Sequence, residues 1–211
     1  MNKTIQLVNL WGTFEEKHPD GSIEDFCRYL LIHQRESENK APLTGVVVPG
    51  NTDGLLLKLM GRIHKVNATY AYTALEGTGL NQLEEFGMLL DIQLAKNPKK
   101  TEVIYSSLME LSSGTDMLNR LRERGFITEQ ADTEDKRSKR LLLTPAGEKT
   151  IEKARAQIRK LARMMMYDMT EDDMQLCIKL LKKVEQKFSR LLQGHKGKSF
   201  DSIYEEVTGN L

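Results

Sequence analysis

Four cations fall within five residues, Lys136, Arg137, Lys139 and Arg140, and the chemistry open to them is phosphate binding. Clustered ammonium and guanidinium groups neutralise the closely spaced charges of a nucleic-acid backbone. A charge run is also the ordinary make-up of a solvated turn, so its setting decides. Residues 126–131 and 139–143 read as two strands, and 132–138 reads as a charged turn between them. Upstream, a short predicted helix turns Met117, Leu118 and Leu121 to one side and Ser112, Ser113, Thr115, Asp116 and Arg120 to the other. Hydroxyl and guanidinium groups on one helical face are the groups that bond phosphates and base edges, and Arg120 is placed for a phosphate or a guanine. Glu110 and Asp116 oppose this chemistry. A carboxylate near phosphates is repulsive unless it accepts from cytosine N4, and Ser113 with Asp116 has the spacing of a capping box that would hold the helix start. Enzyme signatures are absent: there is no P-loop, glycine-rich nucleotide turn, nucleophile elbow or paired-histidine zinc motif, so neither catalysis nor a cofactor is expected. His18, His33, His64 and His195 form no helical pair, and Cys27 and Cys177 lack metal or redox spacing. Both cysteines are expected in apolar packing.

The elements that must position these groups are mostly helical. The chain has 211 residues, 39% hydrophobic and 6% aromatic, with ten methionines and a net charge of +1. Any positive patch is therefore local. No apolar run reaches the roughly 20 residues of a membrane helix, the N-terminus lacks a signal-peptide core, and the cytoplasm is the expected compartment. His18-Pro19-Asp20-Gly21 reads as a turn, and Ser22 with Asp25 caps a helix over about 22–36. Residues 39–53 read as a loop around Val46, Val47 and Val48. The next helix starts near Thr52 and carries Leu56, Leu59, Ile63, Val66, Tyr70 and Thr73 at alternating steps of three and four, the spacing of a coiled-coil seam. Gly77 and Gly79 end it. Asn81 is expected to cap a helix that stops at Asn97-Pro98, and Thr101 to cap a short one holding Val103, Ile104 and Leu108; Lys99 and Lys100 precede it. Gly125 closes the following helix. Thr144-Pro145 opens a long helix with Ile151, Ala154, Ile158, Leu161 and Met165 inward. Met164, Met165, Met166 and Tyr167 are either core or the lining of an adaptable pocket. Thr170 caps a last long helix whose seam, Met174, Cys177, Leu181, Val184, Phe188 and Leu191, would expose an apolar strip on a monomer. A dimer joined along that seam is expected, with Met174, Leu181, Val184, Phe188 and Leu191 in the interface. The fold class is mainly α with a small β-hairpin wing: an N-terminal arm and dimerisation helices over 1–79, a winged helix-turn-helix domain over 80–144, C-terminal dimerisation helices over 145–193, and a polar tail over 194–211.

Three segments carry a resemblance to a known family. Residues 119–127 (NRLRERGFI), 132–140 (DTEDKRSKR) and 143–147 (LTPAG) resemble the recognition-helix end, the acidic-basic wing and the wing exit of the MarR family, the multiple antibiotic resistance regulators. The match runs without gaps over about 102–149. The resemblance implies an obligate homodimer that binds double-stranded DNA with two winged domains on successive major grooves. It also implies repression modulated by small aromatic effectors held between the dimer helices and the DNA-reading lobe. It places Arg137 at the family's minor-groove arginine and Asp135 at the acid that steadies it. The chain departs from the pattern at Leu111 and Asp116, where relatives carry basic residues, and at Gly114, which stands for a core side chain. A winged-helix adaptor that binds protein instead of DNA is the alternative those departures raise.

Overall fold

A computed structural model describes residues 2–35, 50–133, 135 and 138–209. In chain order the described elements are α1 (Lys3–Lys17), α2 (Ile23–Arg35), α3 (Thr52–Leu75), α4 (Leu83–Ala95), α5 (Lys100–Ser106), α6 (Leu111–Glu123), β1 (Ile127–Ala131), β2 (Lys139–Leu143), α7 (Pro145–Met165), α8 (Glu171–Leu192) and α9 (Phe200–Thr208). The chain divides into two units, residues 1–57 and 58–211.

The first unit is built on a helical hairpin. The Asn2 side chain accepts from the Thr4 N–H and starts α1. The 18–21 turn closes with Gly21 N–H donating to His18 O. Ser22 and Asp25 form the expected reciprocal box, Ser22 N–H to Asp25 Oδ2 at 3.0 Å and Asp25 N–H to Ser22 Oγ at 3.2 Å. Phe14 and Phe26 are buried against each other, with Trp11 edge-on to Phe26 at 5.0 Å. Cys27 is exposed rather than packed, because α2 turns Phe26 inward and its sequence neighbour faces away. The expected loop over 39–53 lies mostly outside the described residues.

In the second unit one core runs through α4, α5, α6, the hairpin and α7. Leu75, Leu89, Ile104, Leu118, Leu121, Leu141, Ile151 and Ala154 are all fully buried in it. β1 and β2 pair antiparallel, with Ile127 opposite Leu143 and Glu129 opposite Leu141. The wing exit explains its own motif. The Thr144 hydroxyl donates to Gly125 O at 2.6 Å and accepts from Gly147 N–H at 3.1 Å. A Cβ on Gly147 would collide with the Phe126 carbonyl oxygen. Gly125 has φ +75°, the left-handed position expected of it.

Two helix starts differ from the sequence reading. Gln82, not Asn81, occupies the cap of α4, and the Asn81 N–H donates to Glu85 Oε2 at 2.8 Å. Lys99, not Thr101, caps α5, with its N–H held by Glu102 Oε2 at 2.7 Å. Leu108 lies beyond α5 in a left-handed conformation, φ +54°. The tail also differs: α9 forms there on a Ser199 cap.

Candidate nucleic-acid interface

Helices α5 and α6 cross closely, and glycine makes the crossing possible. A Cβ on Gly114 would stand 2.6 Å from Ile104 Cγ2, so a hydrogen in place of the usual core side chain lets α6 lie directly on Ile104. Met117, Leu118 and Leu121 are buried as expected. Ser112, Ser113, Asp116 and Arg120 are exposed and Thr115 is half-buried on the opposite side. α6 begins at Leu111 on a Glu110 cap. Asp116 therefore sits well inside the helix, and the Ser113–Asp116 capping box does not form. Its carboxylate faces solvent beside the hydroxyls.

The hairpin is anchored from beneath. Arg140 pairs with the Asp132 carboxylate, which is fully buried, and donates from Nη1 to Asn97 O at 2.9 Å. Leu141 N–H donates to Pro98 O at 2.9 Å, tying β2 to the α4–α5 turn. Asp132 Oδ1 accepts from the Asp135 N–H at 2.8 Å, and Asp135 Oδ2 accepts from the Ser138 hydroxyl at 2.7 Å, so both acids shape the turn. Lys136 and Arg137 lie outside the described residues. Lys139 is exposed near the turn.

Two carboxylates organise the site: Glu129, to which the sequence reading gives no role, and Glu85, which it reads only as a first-turn acid against the helix dipole. Glu129 on β1 has a side chain only 8% exposed, and three cations reach it: Lys100 at 3.1 Å, Arg122 at 3.0 Å and Lys139 at 3.5 Å. Burial alone pushes its carboxyl up, but the Lys100 hydrogen bond and the three positive charges outweigh this and hold it below the usual glutamate range. Lys100 also donates to Asn119 Oδ1 at 3.2 Å. Glu85, 1% exposed, binds Arg124 at 2.6 Å, and Arg124 also donates to Gly79 O at 2.7 Å. That arginine follows α6 directly, so α6 is fastened at its C-terminal end to the α3–α4 turn. The signal for both was an acid at an inward strand or helix position, legible only once its cations were located.

Away from α6 and the hairpin, Leu181, Val184 and Phe188 are 40%, 46% and 47% exposed. Met174 and Leu191 are half-buried, and α8 buries no residue completely. Cys177 is exposed on the same helix, so its expected packing is not supplied by its own chain. On α3, Ile63, Val66 and Tyr70 are likewise exposed. A cleft of about 400 Å³ is lined by Met60, Ile63, His64, Asn67, Met165 and Met166 among others. Met164 and Tyr167 point elsewhere, at 53% and 83% exposure. Among the described residues there is no cluster of metal-ligating side chains and no helix long and apolar enough to cross a membrane.

No family model and no curated protein matches the sequence. Solved structures do match the fold. A mutant MarR from E. coli, solved in complex with operator DNA, is 23% identical with a TM-score of 0.58, covering 61% of this chain and 92% of its own. An organohalide-sensing transcriptional regulator in its 2,4-dichlorophenol-bound form is 18% identical with a TM-score of 0.62, covering 74% and 94%. A regulator from Bordetella bronchiseptica, whose DNA binding is regulated by 6-hydroxynicotinic acid, is 15% identical with a TM-score of 0.57, covering 62% and 98%. With its helical core and two-stranded antiparallel hairpin, the chain thus has the winged-helix fold of the MarR-type transcriptional regulators.

Proposed function

We propose that this chain is a homodimeric transcriptional regulator that binds duplex DNA and releases or engages it in response to a small aromatic effector. One observation carries the DNA reading. Ser112, Ser113, Thr115 and Arg120 share the outer face of α6, and none makes a side-chain hydrogen bond or ion pair with another described residue. Polar groups left without partners beside a cationic hairpin are free to bond base edges and phosphates. Lys136 and Arg137 supply the wing contacts, with Asp135 shaping the turn that carries them. Arg140 and Lys139 serve first to hold the hairpin, through Asp132 and Glu129. Asp116, released from any capping role, is a candidate reader of cytosine N4.

The apolar strips on α3 and α8 support a dimer, since leaving such area in water costs about 25 cal/mol per Å². The cleft between α3 and α7 supports an effector. Its volume falls in the range of small-ligand sites, its methionines adapt to flat rings, and His64 with Asn67 offers polar handles for a hydroxyl or carboxylate.

Exposed Leu108 and Leu111, at 49% and 46%, favour the second reading, a winged-helix module that binds protein. Selection from a random duplex library, with and without phenols and aromatic acids, separates the two. Enrichment of a two-fold site at low salt supports regulation; no enriched site supports the adaptor. Against the enriched site, Arg137→Ala weakens binding at every sequence and lowers the log–log salt slope by about one.

A further inference from the structure

We propose that Glu129 is a positioning residue that withholds Lys100, Arg122 and Lys139 from the duplex and locks the wing to the recognition helix, so that base contacts rather than bulk charge set affinity. The inference rests on the DNA-binding reading. Glu129 stands on the core-facing side of β1, directly opposite the fully buried Leu141. A carboxylate in that position is expensive unless it is paired and hydrogen-bonded. Its three cations come from three elements, α5, α6 and β2. Lys100 bridges further to Asn119 on α6. One side chain therefore fixes the α5 start, the recognition helix and both wing strands in one arrangement.

The withheld lysines stand where a duplex would feel them. Lys100 and Lys139 line one groove with Lys99, Thr115, Leu111 and Ser138, at the junction of the recognition helix and the wing. Freed from Glu129, their ammonium groups would turn to phosphates beside the outer face of α6. Such contacts raise affinity for every sequence equally. With a net charge of only +1, the chain is not built to bind DNA through bulk charge. Glu129 keeps its cationic patch in the same condition.

The test compares wild type, Glu129→Gln and Glu129→Asp on the selected site and on a scrambled duplex across a salt series, with melting temperature recorded for each. For Glu129→Gln, scrambled-duplex binding strengthens. Its loss between about 50 and 200 mM salt deepens by a further ~3.5-fold for one added phosphate contact, and the ratio of specific to scrambled affinity falls. Glu129→Asp, which keeps the charge, stays near wild type in slope. A Glu129→Gln protein with unchanged or shallower slope and an intact ratio overturns the proposal, as does equal weakening on both duplexes, the mark of a merely structural role. If Glu129→Gln does not fold, Arg122→Gln decides: a withheld cation leaves the slope unchanged, and a slope lower by about one refutes withholding. Wild type that binds neither duplex refutes the DNA reading itself.

Discussion

The winged lobe and the long helices around it answer the burial problem in opposite ways. In the lobe, α4 to α7 and the hairpin seal Leu89, Ile104, Leu118, Leu121, Leu141 and Ile151 completely within a single chain. On α8 no residue is fully buried, and Leu180, Leu181, Val184 and Phe188 all stand about half in water. The lobe buries its apolar side chains within one chain; α8 leaves an apolar strip that its own chain does not cover. The same contrast holds for charge. Three acids of the lobe, Asp132, Glu85 and Glu129, have buried, paired side chains, whereas the cations of α8 are solvated.

The contrast breaks most visibly at the seam. Replacing Leu181 and Phe188 together by Lys leaves the lobe folded and converts dimers to monomers, read by sedimentation or light scattering. A persistent dimer would move the interface to another surface. Next in size is Arg124→Ala, which strands the Glu85 carboxylate in the core. Breaking a buried pair in this way costs about 3 kcal/mol, seen as a lower denaturation midpoint with the dimer retained. Gly114→Val drives a side chain into Ile104 and costs about 1–3 kcal/mol, again in the lobe alone. The smallest effect is electrostatic. Glu129 is held below its ordinary value of 4.5, so its pairing stabilises the fold above that value and is lost as pH falls through the lowered one. Acid unfolding of Glu129→Gln lacks this contribution, and its stability changes less with pH between the two values. Parallel curves for the two proteins would show that the carboxylate gains nothing from its cations.

What the sequence discloses is what is local. The Thr144 cap, Pro145 and Gly147 act within four residues, and the hydroxyl, the missing N–H and the missing Cβ each have one structural use there. The inward face of α6 follows from helical periodicity alone. The Ser22–Asp25 box is equally local, and it forms. Local reasoning fails where a distant partner decides. Glu129 is 29 residues from Lys100 and Glu85 is 39 from Arg124, and no spacing rule joins them. Asp116 was misplaced because Glu110 caps α6 by backbone conformation without a side-chain bond, which moves the helix start ahead of Ser113. Burial is expected of both cysteines because a free thiol packs as a small apolar group, and both are exposed. The seam around Cys177 is apolar, but its own chain does not cover it.

The claim on which the account turns is that two copies present paired reading helices to one duplex, and hydroxyl-radical footprinting on the selected site tests it directly. The account predicts two protected tracts related by a two-fold axis and centred about 10 base pairs apart, with weaker protection where each wing meets the flanking minor groove. A single asymmetric tract, or protection that does not depend on an intact α8 seam, would contradict it.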